Sequence, residues 1–389
     1  MTFTKILIIA SQIPQTIHAG SLQFYRVLEQ FPSENLRAIG PIEKEAHQLC
    51  KTYDPFILTT RFTTTRFCEL ANSLNTIKLL PDISVSKIDE LLGEFKPDLV
   101  ITLMETLPYS YAAHRYALKK RLPLLTVSMD KPGDFTRIYQ RMKPFQFKRM
   151  KSIYKYASVN LGVSFEMAAY LSNTYNIKSD TLYFCPPEGL TARNISAAAK
   201  LKNEGELTIG YAGSMTLGYG KQIESMLTCF EKSDVHLNIY SHQEPSFKSP
   251  CVNYRGKFTQ YEVWDKIKDE CDAVILPYYF HYGTKETSVY STHFPTKLSE
   301  YLTLGMPVIV IGPEWATGMK WAKAHPEAVI SSSNEDPLEW SDIFKNIRNN
   351  PEVRLAYSIE PVKAQKKEFS TSIIKNQFLQ FINQAISKS

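Results

Sequence analysis

The sequence predicts an α/β protein with two doubly wound parallel-sheet domains, and three observations support this fold class. First, the 389 residues correspond to two or three domains at roughly 150 residues each, with two the favoured count. Second, short continuous apolar runs alternate with amphipathic stretches along most of the chain. Third, this alternation is interrupted once, near the middle. The composition, 43% hydrophobic and 22% charged, is that of a globular protein and excludes a disordered, collagen-like or disulfide-scaffold chain.

The first half of the chain reads as strands alternating with helices. Its apolar runs are bounded by polar residues, as buried parallel strands are, and they lie at 6–10, 56–60, 99–103, 124–128 and 159–163. Between them lie amphipathic stretches such as 85–95, whose apolar residues follow helical spacing. Strands that alternate with helices form βαβ units, which predict a parallel sheet covered on both faces.

The second half repeats this alternation after a break that is rich in proline and glycine. We interpret residues 186–206 as a linker between an N-terminal domain, 1–185, and a C-terminal domain, 207–368. The second set of strands is predicted at 207–212, 235–240, 252–255, 273–276, 308–311 and 328–331. The last segment, 369–389, has an apolar stripe and is predicted to be a helix that packs back across the domains. The chain would then hold two Rossmann-like halves that face an interdomain cleft, with ligands at the carboxyl ends of their strands.

Charge and cysteine usage limit the partner and the compartment. The net charge of +6 is too small an excess to indicate nucleic acid, and no nucleic-acid partner is expected. No apolar run approaches the roughly 18–20 residues that span a bilayer, and the N-terminal apolar core is too short for a signal peptide. The six cysteines form no CxxC pair and the eight histidines no HExxH pair, so zinc is not expected. These features predict a reduced, cytoplasmic protein with free thiols.

Small residues occupy the turn after the first predicted strand of each domain. Gly20 and Ser21 precede a helical pattern, so backbone amides there can approach an anion, and Gly20 is a candidate donor-binding residue. The alternative is that Ser21 is an ordinary helix cap. In the second domain, Gly213, Ser214 and Lys221 enclose a glycine-rich turn that suits a diphosphate. Neither turn is a GxGxxG fingerprint or a Walker A loop.

Residues 292–312 combine a helix start with a buried strand. Thr296 begins the helical pattern, Lys297 lies in its first turn and Glu300 lies one turn later. A basic residue and helix-start amides suit a diphosphate, whereas a carboxylate one turn on can accept both hydroxyls of a ribose. The alternative is a surface lysine and glutamate on an amphipathic helix.

The chain here resembles the GT-B glycosyltransferases, in particular the retaining family four, whose donor-site signature is similar to FPTKLSEYLTLGMPVIV. Two further segments are similar to that family in order and spacing, namely VNYRGKFTQYEVWDKIKDECDAVILPY and LGVSFEMAAYLSNTYNI. The motifs cover residues 159–312, whereas 1–130 agrees in architecture more than in motif. The resemblance implies a GT-B fold. It also implies a retaining, hexosyltransferase-type enzyme that moves a sugar from a nucleotide-sugar donor to a glycan or lipid-linked acceptor.

The resemblance assigns donor-site residues one by one. It implies that Glu300 binds the ribose and that Thr296 and Lys297 lie near the diphosphate. The other residues that it places at the base and the phosphates are Gly213, Ser214, Lys221, Gly256 and Lys257.

Two positions depart from the family pattern. Thr292 stands where a second glutamate often occurs, and Ser214 stands where an arginine often follows the glycine of the turn. Lys221 and Lys285 are candidates to supply the missing positive charge. The departures bear on the contacts of the donor sugar more than on those of the nucleotide.

The expected catalytic residues are Asp130, Lys221 and Lys297. No DxD triplet is present, so neither a metal nor a cofactor is expected. The lysines and helix dipoles would then stabilise the departing nucleoside diphosphate. Asp130 follows the predicted strand 124–128, so it can orient a sugar hydroxyl, take the proton of the acceptor or cap a loop. Relatives often carry a histidine before this residue, where this chain has Met129.

Two other functions remain open from the sequence. The first is a nucleotide-sugar epimerase of the same fold. The second is a non-catalytic relative that binds a nucleotide-sugar or a glycan, which Thr292 and Met129 suggest.

Positive charge clusters in residues 137–155, where seven Lys or Arg residues alternate with aromatic and aliphatic residues and no acid is present. This pattern predicts a surface that meets anionic lipid or a lipid-linked acceptor, and hence a peripheral position on the inner face of the membrane. The alternative is the solvated face of a helix whose opposite face is buried.

Overall fold

The computed structural model describes residues 4–16, 19–55, 67–78, 83–105, 107–133, 137–216 and 218–388. The strand predicted at 56–60 lies outside these residues. The chain divides into two compact units. One comprises Met1–Phe184 and Ile374–Ser389, and the other comprises Cys185–Ile373.

The first unit is built on a seven-stranded parallel sheet with the order β3-β2-β1-β4-β5-β6-β7. Its strands are β1 Ile6–Ile9, β2 Leu36–Ile39, β3 Lys51–Tyr53, β4 Leu99–Leu103, β5 Leu124–Ser128, β6 Val159–Gly162 and β7 Asp180–Thr181. β1 pairs with β2 on one side and with β4 on the other, so the strand order reverses there. In doubly wound sheets ligands bind at this switch point, beyond the carboxyl ends of the strands.

The helices of the first unit bury their apolar faces in one core. They are α1 Ala19–Leu28, α2 Cys68–Thr76, α3 Val85–Leu92, α4 Leu107–Lys120, α5 Lys143–Tyr156 and α6 Phe165–Tyr175. α3 begins at the Ser84 cap, which accepts a hydrogen bond from the Lys87 amide, and it buries Ile88 and Leu92. This α3 ends three residues earlier than the periodicity predicts, because Gly93 adopts a φ of 56°.

The second unit is built on a six-stranded parallel sheet with the order β10-β9-β8-β11-β12-β13. Its strands are β8 Leu207–Ala212, β9 Val235–Tyr240, β10 Val252–Gly256, β11 Ala273–Pro277, β12 Val308–Ile311 and β13 Ile330–Ser332. The central strands β8, β11 and β12 are buried at every position, as their continuous apolar sequences predict. Two parallel sheets with surrounding helices confirm the predicted fold class.

The helices of the second unit follow its strands in alternation. They are α7 Tyr219–Lys232, α8 Gln260–Glu270, α9 Thr284–Tyr290, α10 Thr296–Tyr301, α11 Thr317–Ala324, α12 Pro337–Asn349 and α13 Pro351–Glu368. The last helix, α14 Thr371–Ser387, begins in this unit, and its residues from Ile374 onward belong to the first. Its apolar stripe buries Ile374, Phe378 and Ile382, whereas Phe381 is half-buried.

The segment interpreted as a linker belongs to the second unit. The Arg193 guanidinium donates hydrogen bonds to the carbonyls of Gly305, Cys271 and Asp272. The Asp272 carboxylate in turn accepts from the backbone amides of Lys202 and Thr208, both at 2.8 Å. Proline and glycine in this segment therefore mark an irregular backbone that buried polar side chains hold in place.

Three strands of the first unit have no counterpart among the predicted runs. β2 is interrupted by Arg37, whose guanidinium lies 4.7 Å from the centroid of the Phe95 ring. β3 is an edge strand with two polar residues, and β7 has only two residues. Edge pairing needs no continuous apolar run, so apolar periodicity alone cannot find such strands.

Candidate functional site

The glycine turn after β8 and the start of α10 come together in the second unit. Gly213 has a φ of 133°, and a Cβ added to it would overlap Cε of Lys297 and lie 2.7 Å from its Nζ. Only glycine allows both this backbone conformation and this close approach. The structure therefore places Lys297 directly against the turn that the sequence indicates as a diphosphate site.

Aromatic rings and a carboxylate surround the ammonium of Lys297. Its Nζ lies 4.5 Å from the ring centroid of Tyr219 and 5.5 Å from that of Tyr211. Burial lowers the pKa of Lys297 to about 8, and the Glu300 carboxylate opposes this decrease. A cation kept in so apolar a setting is ready to pair with an incoming anion.

Tyrosine hydroxyls fix the backbone of the same turn. The Tyr301 hydroxyl accepts a hydrogen bond from the Ala212 amide at 2.9 Å, and the Tyr211 hydroxyl donates to the Ser214 carbonyl at 2.5 Å. Burial raises the pKa of both tyrosines above the ordinary value, so both hydroxyls stay neutral. The Ser214 hydroxyl lies 2.6 Å from that of Thr216 and accepts from the Thr216 amide. The turn is therefore held on its inner side by the bonds to Tyr211 and Tyr301, and its Ser214 side is partly exposed.

Glu300 is 6% exposed and lies in the short α10, one turn after its start. Thr296 begins this helix as predicted, follows the Pro295 cap and is half-buried. Thr292, where family four often has a second glutamate, is 5% exposed and donates its hydroxyl to carbonyls at the end of α9. Position 292 therefore carries a hydroxyl that is already hydrogen-bonded to the backbone, and it carries no carboxylate.

A cluster of tyrosines adjoins this site, and the sequence analysis did not identify it. Ring centroids lie 4.7–6.2 Å apart along a chain of contacts formed by Tyr211, Tyr219, Tyr278, Tyr279, Tyr282 and Tyr290. Gly218, which has a φ of 88°, allows the tyrosines to pack closely against the turn, because a Cβ added to it would lie only 2.5 Å from Cε1 of Tyr282. The signal that could have indicated it is the occurrence of four tyrosines within the 13 residues 278–290.

Three other predicted donor residues, Lys221, Gly256 and Lys257, lie in exposed or open positions. Lys221 is exposed, and its Nζ lies 5.7 Å from the ring centroid of Tyr279. Gly256 has a φ of 85° with open space around it, and the adjacent Lys257 is exposed. Lys285 belongs to α9, but its side chain is not among those described. The place of Gly256 and Lys257 beside the nucleotide base stays a prediction.

In the first unit, Gly20 lies against the end of β1. A Cβ added to it would overlap Oε1 of Gln12 and lie 3.0 Å from Sδ of Met129. The helix α1 begins at Ala19, so Ser21 lies inside it and is not its cap. The interpretation of Ser21 as an ordinary cap is therefore wrong, because the helix starts earlier than the apolar pattern indicates.

Asp130 follows β5, as predicted, and it faces a carboxyl group that sequence reasoning missed. Burial and, to a smaller extent, the charge of Asp130 together raise the pKa of Glu105 to about 8. Glu105 comes two residues after β4. Its position just beyond a buried parallel strand is the signal that could have found it, since functional groups collect at that edge.

The basic segment 137–155 is partly structural. The Arg149 guanidinium donates to the carbonyls of Asn75 and Thr76 and lies 3.2 Å from the ring centroid of Tyr111. Its charge therefore ties α5 to α2 and α4. The five exposed cations of the segment are Arg137, Arg141, Lys143, Lys148 and Lys155.

The part of the chain that the structure describes contains no group of three or more His, Cys, Asp or Glu side chains arranged to hold a metal ion. No described helix combines the length and the apolar character needed to cross a membrane.

Comparison with known proteins finds relatives in structure but not in sequence. No family model and no curated protein matches the chain. A sucrose-phosphate synthase from Thermosynechococcus elongatus superposes with a TM-score of 0.69 at 13% identity, over 99% of each chain. HepE from Anabaena, solved with UDP and glucose, superposes with a TM-score of 0.66 at 12% identity, over 98% of this chain and 100% of that one. A glycosyltransferase from Rickettsia africae superposes with a TM-score of 0.62 at 14% identity, over 100% and 99%.

These neighbours are GT-B glycosyltransferases, and they match nearly the whole of this chain. At such low identity the likeness carries the fold and no residue roles. The narrower resemblance to family four stays a prediction, since no family model matches. With its two parallel sheets and the order of its elements, the chain has the GT-B fold.

Proposed function

We propose that the protein is a glycosyltransferase that moves a sugar from a nucleotide-sugar donor to a glycan or lipid-linked acceptor. The observation that carries this proposal is the half-buried Lys297, which packs on the Gly213 turn with the buried Glu300 on the same helix. This arrangement offers a cation for a diphosphate and, close by in sequence, a carboxylate for ribose hydroxyls. Neighbours of the same fold give the proposal its donor class, since HepE was solved with UDP and with UDP-glucose.

The chemical role that we assign to Lys297 is electrostatic. As the bond from the sugar to the diphosphate breaks, negative charge grows on the leaving oxygen, and a preorganised ammonium stabilises it. Lys221, exposed at the start of α7, is the second candidate for this role. In the retaining reaction that we propose, the acceptor oxygen bonds to the anomeric carbon from the face that the diphosphate leaves. The proton of the acceptor then passes to the departing phosphate oxygen. In this proposal the lysines, in place of a metal ion, stabilise the negative charge of the diphosphate.

A peripheral membrane position is the second part of the proposal. Around α5 the exposed cations are accompanied by apolar rings, with Phe145 53% exposed and Phe147 40% exposed. Cations beside exposed aromatics suit an anionic lipid surface. Replacement of Arg141, Lys143 and Lys148 by Gln should release the protein from vesicles that contain anionic lipid. If the wild-type chain never sediments with such vesicles, this part of the proposal is wrong.

Incubation with a panel of UDP-, GDP- and dTDP-sugars tests the enzymatic proposal. Release of a nucleoside diphosphate from at least one sugar, with a loss of that activity in Lys297→Met, would support it. Lys345→Met, an exposed lysine of the same unit, is the matched control. An epimerase would isomerise the sugar without releasing the diphosphate, and a binding protein would bind the sugar nucleotide without turnover. Either result would overturn the proposal.

A further inference from the structure

Lys297 and Glu300 carry opposite charges one turn apart on α10. Side chains at positions i and i+3 of a helix are neighbours, so a lysine and a glutamate with this spacing ordinarily attract each other. The ion pair does not form here, because no carboxylate oxygen of the described residues lies within 4.0 Å of Lys297 Nζ. The ammonium therefore points away from the carboxylate on its own helix.

Two tyrosine rings take the place of the carboxylate beside the ammonium. Lys297 Nζ lies 4.5 Å from the ring centroid of Tyr219, at the start of α7, and 5.5 Å from that of Tyr211, near the end of β8. A cation over the face of an aromatic ring is attracted by the negative potential of that face, and the attraction is stronger where water is excluded. Tyr211 is fully buried and Tyr219 is 7% exposed. The rings therefore attract the ammonium without neutralising its charge.

The ring of Tyr219 is itself fixed in orientation. It makes an edge-to-face contact with the ring of Tyr290, with centroids 5.6 Å apart, and a tilted contact with that of Tyr278 at 6.2 Å. The hydroxyls of Tyr219 and Tyr290 also share a hydrogen bond. Tyr278 comes directly after β11 and Tyr290 ends α9, so two further elements of the unit brace the ring.

The glycine turn limits the lysine from the other side. Because a Cβ at Gly213 would overlap Cε of Lys297, the aliphatic part of the lysine lies directly on the backbone of the turn. Among the described residues, no group accepts a hydrogen bond from its ammonium. The rings and the turn thus fix the position of Nζ, while its hydrogen-bond donors stay available to an anionic ligand.

We propose that Tyr219 is a positioning residue, whose ring holds the Lys297 ammonium beside the Gly213 turn and prevents it from pairing with Glu300. Without the ring, the ammonium would turn along α10 and form the ion pair, which would withdraw the positive charge from the turn. The proposal rests on the proposed function for its ligand, a nucleoside diphosphate. The placement of the ammonium is nevertheless a property of the unliganded chain, so it can be measured without that ligand.

An NMR titration of the full chain with ¹³C-labelled lysine measures this placement, and Lys297→Met assigns the signal. In Tyr219→Leu the pKa of Lys297 should rise from about 8 towards the ordinary value of 10.5, because an adjacent carboxylate favours the charged amine. Tyr219→Met fills more of the vacated volume and should behave in the same way. Tyr219→Phe keeps the ring face and should leave the pKa unchanged.

The control is Tyr357→Leu, which removes a half-buried tyrosine of α13 and should not affect the Lys297 signal. A Lys297 pKa that stays the same or falls in Tyr219→Leu and Tyr219→Met would overturn the proposal. Loss of a ring by itself removes attraction for the cation and lowers the pKa, so only a new partner for the ammonium can raise it.

Calorimetric titration with UDP connects the placement to the proposed function. Tyr219→Leu should weaken UDP binding by about tenfold, whereas in a Glu300→Gln background it should weaken binding by less than about twofold, because no carboxylate remains to capture the ammonium. An equal loss in both backgrounds would overturn the proposal, since a purely structural defect acts alike in both. If UDP does not bind to the wild-type chain, the proposed function is wrong, and the lysine titration still decides whether Tyr219 positions Lys297.

Discussion

Substitution of Lys297 by Met should make the unliganded protein more stable and, at the same time, a poorer binder of nucleoside diphosphates. In the folded chain the pKa of Lys297 is about 8, below the value of 10.5 for a free lysine. The unfolded chain therefore binds the proton of Lys297 more tightly than the folded chain does. At neutral pH the charged lysine lowers the free energy of unfolding, and this cost disappears as the pH rises from 8 towards 10.5.

The size of the stability change follows from the decrease in the pKa of Lys297 from 10.5 to about 8. This decrease corresponds to a loss of about 3 kcal/mol at most in the free energy of unfolding, and to about half of that because Lys297 is partly exposed. For a unit of this length, each kcal/mol moves the melting temperature by about 2–4 °C, so Lys297→Met should raise it by about 3–12 °C at neutral pH. The gain should shrink above the pKa of the lysine.

Ligand binding should change in the opposite direction. An ammonium that pairs with a diphosphate contributes about 1.5–3 kcal/mol, so the affinity for UDP should fall by about ten- to a hundredfold. Calorimetric unfolding near pH 7 and above pH 9, together with isothermal titration with UDP, measures both effects. Lys345→Met should change neither. A melting temperature that falls in Lys297→Met, or a UDP affinity that does not change, would refute the reasoning.

Four further substitutions test single positions. Gly213→Ala should cost about 1–3 kcal/mol from its backbone conformation and should also weaken UDP binding by displacing Lys297. Gly256→Ala has a positive φ but open space, so thermal unfolding should detect a cost there, while titration should show unchanged UDP affinity. Glu300→Ala should weaken UDP by about tenfold and should abolish the preference for UDP over its 2′,3′-dideoxy analogue, which calorimetry compares directly. Arg149→Ala should lower the melting temperature of the first unit by removing a partly buried cation with three partners, whereas a similar loss in the exposed Lys148→Ala would contradict that account.

Apolar patterning predicts the sheets well where strands are buried. The bounds of β4, β5, β8, β9 and β12 agree with the sequence analysis at both ends. These strands are central or nearly so in parallel sheets, where both faces are covered and the sequence must be apolar throughout. Edge strands such as β3 escape prediction, because one face and one side meet solvent and their residues are polar.

The candidate site was predictable only in part, for a related reason. Gly213, Lys297 and Glu300 lie in local motifs in which a turn or a helix start is visible in the sequence. Glu105 belongs to no motif, and its altered pKa arises from burial and from Asp130, which is 25 residues away in the chain but adjacent in the sheet. Long-range pairing of this kind becomes visible only with the register of β4 and β5.

The basic segment shows the same limit. From the sequence its cations form a uniform set, but the structure gives Arg149 three interior partners and leaves Lys148 exposed. Which charges remain available to a membrane depends on what α5 packs against, and periodicity alone does not specify that.

The most direct test of the central claim is the structure of the chain with a bound nucleotide-sugar. We expect diphosphate oxygens within hydrogen-bond distance of Lys297 Nζ, beside the Gly213 turn, and ribose hydroxyls on the Glu300 carboxylate. A nucleotide that binds elsewhere and contacts neither side chain would contradict the account.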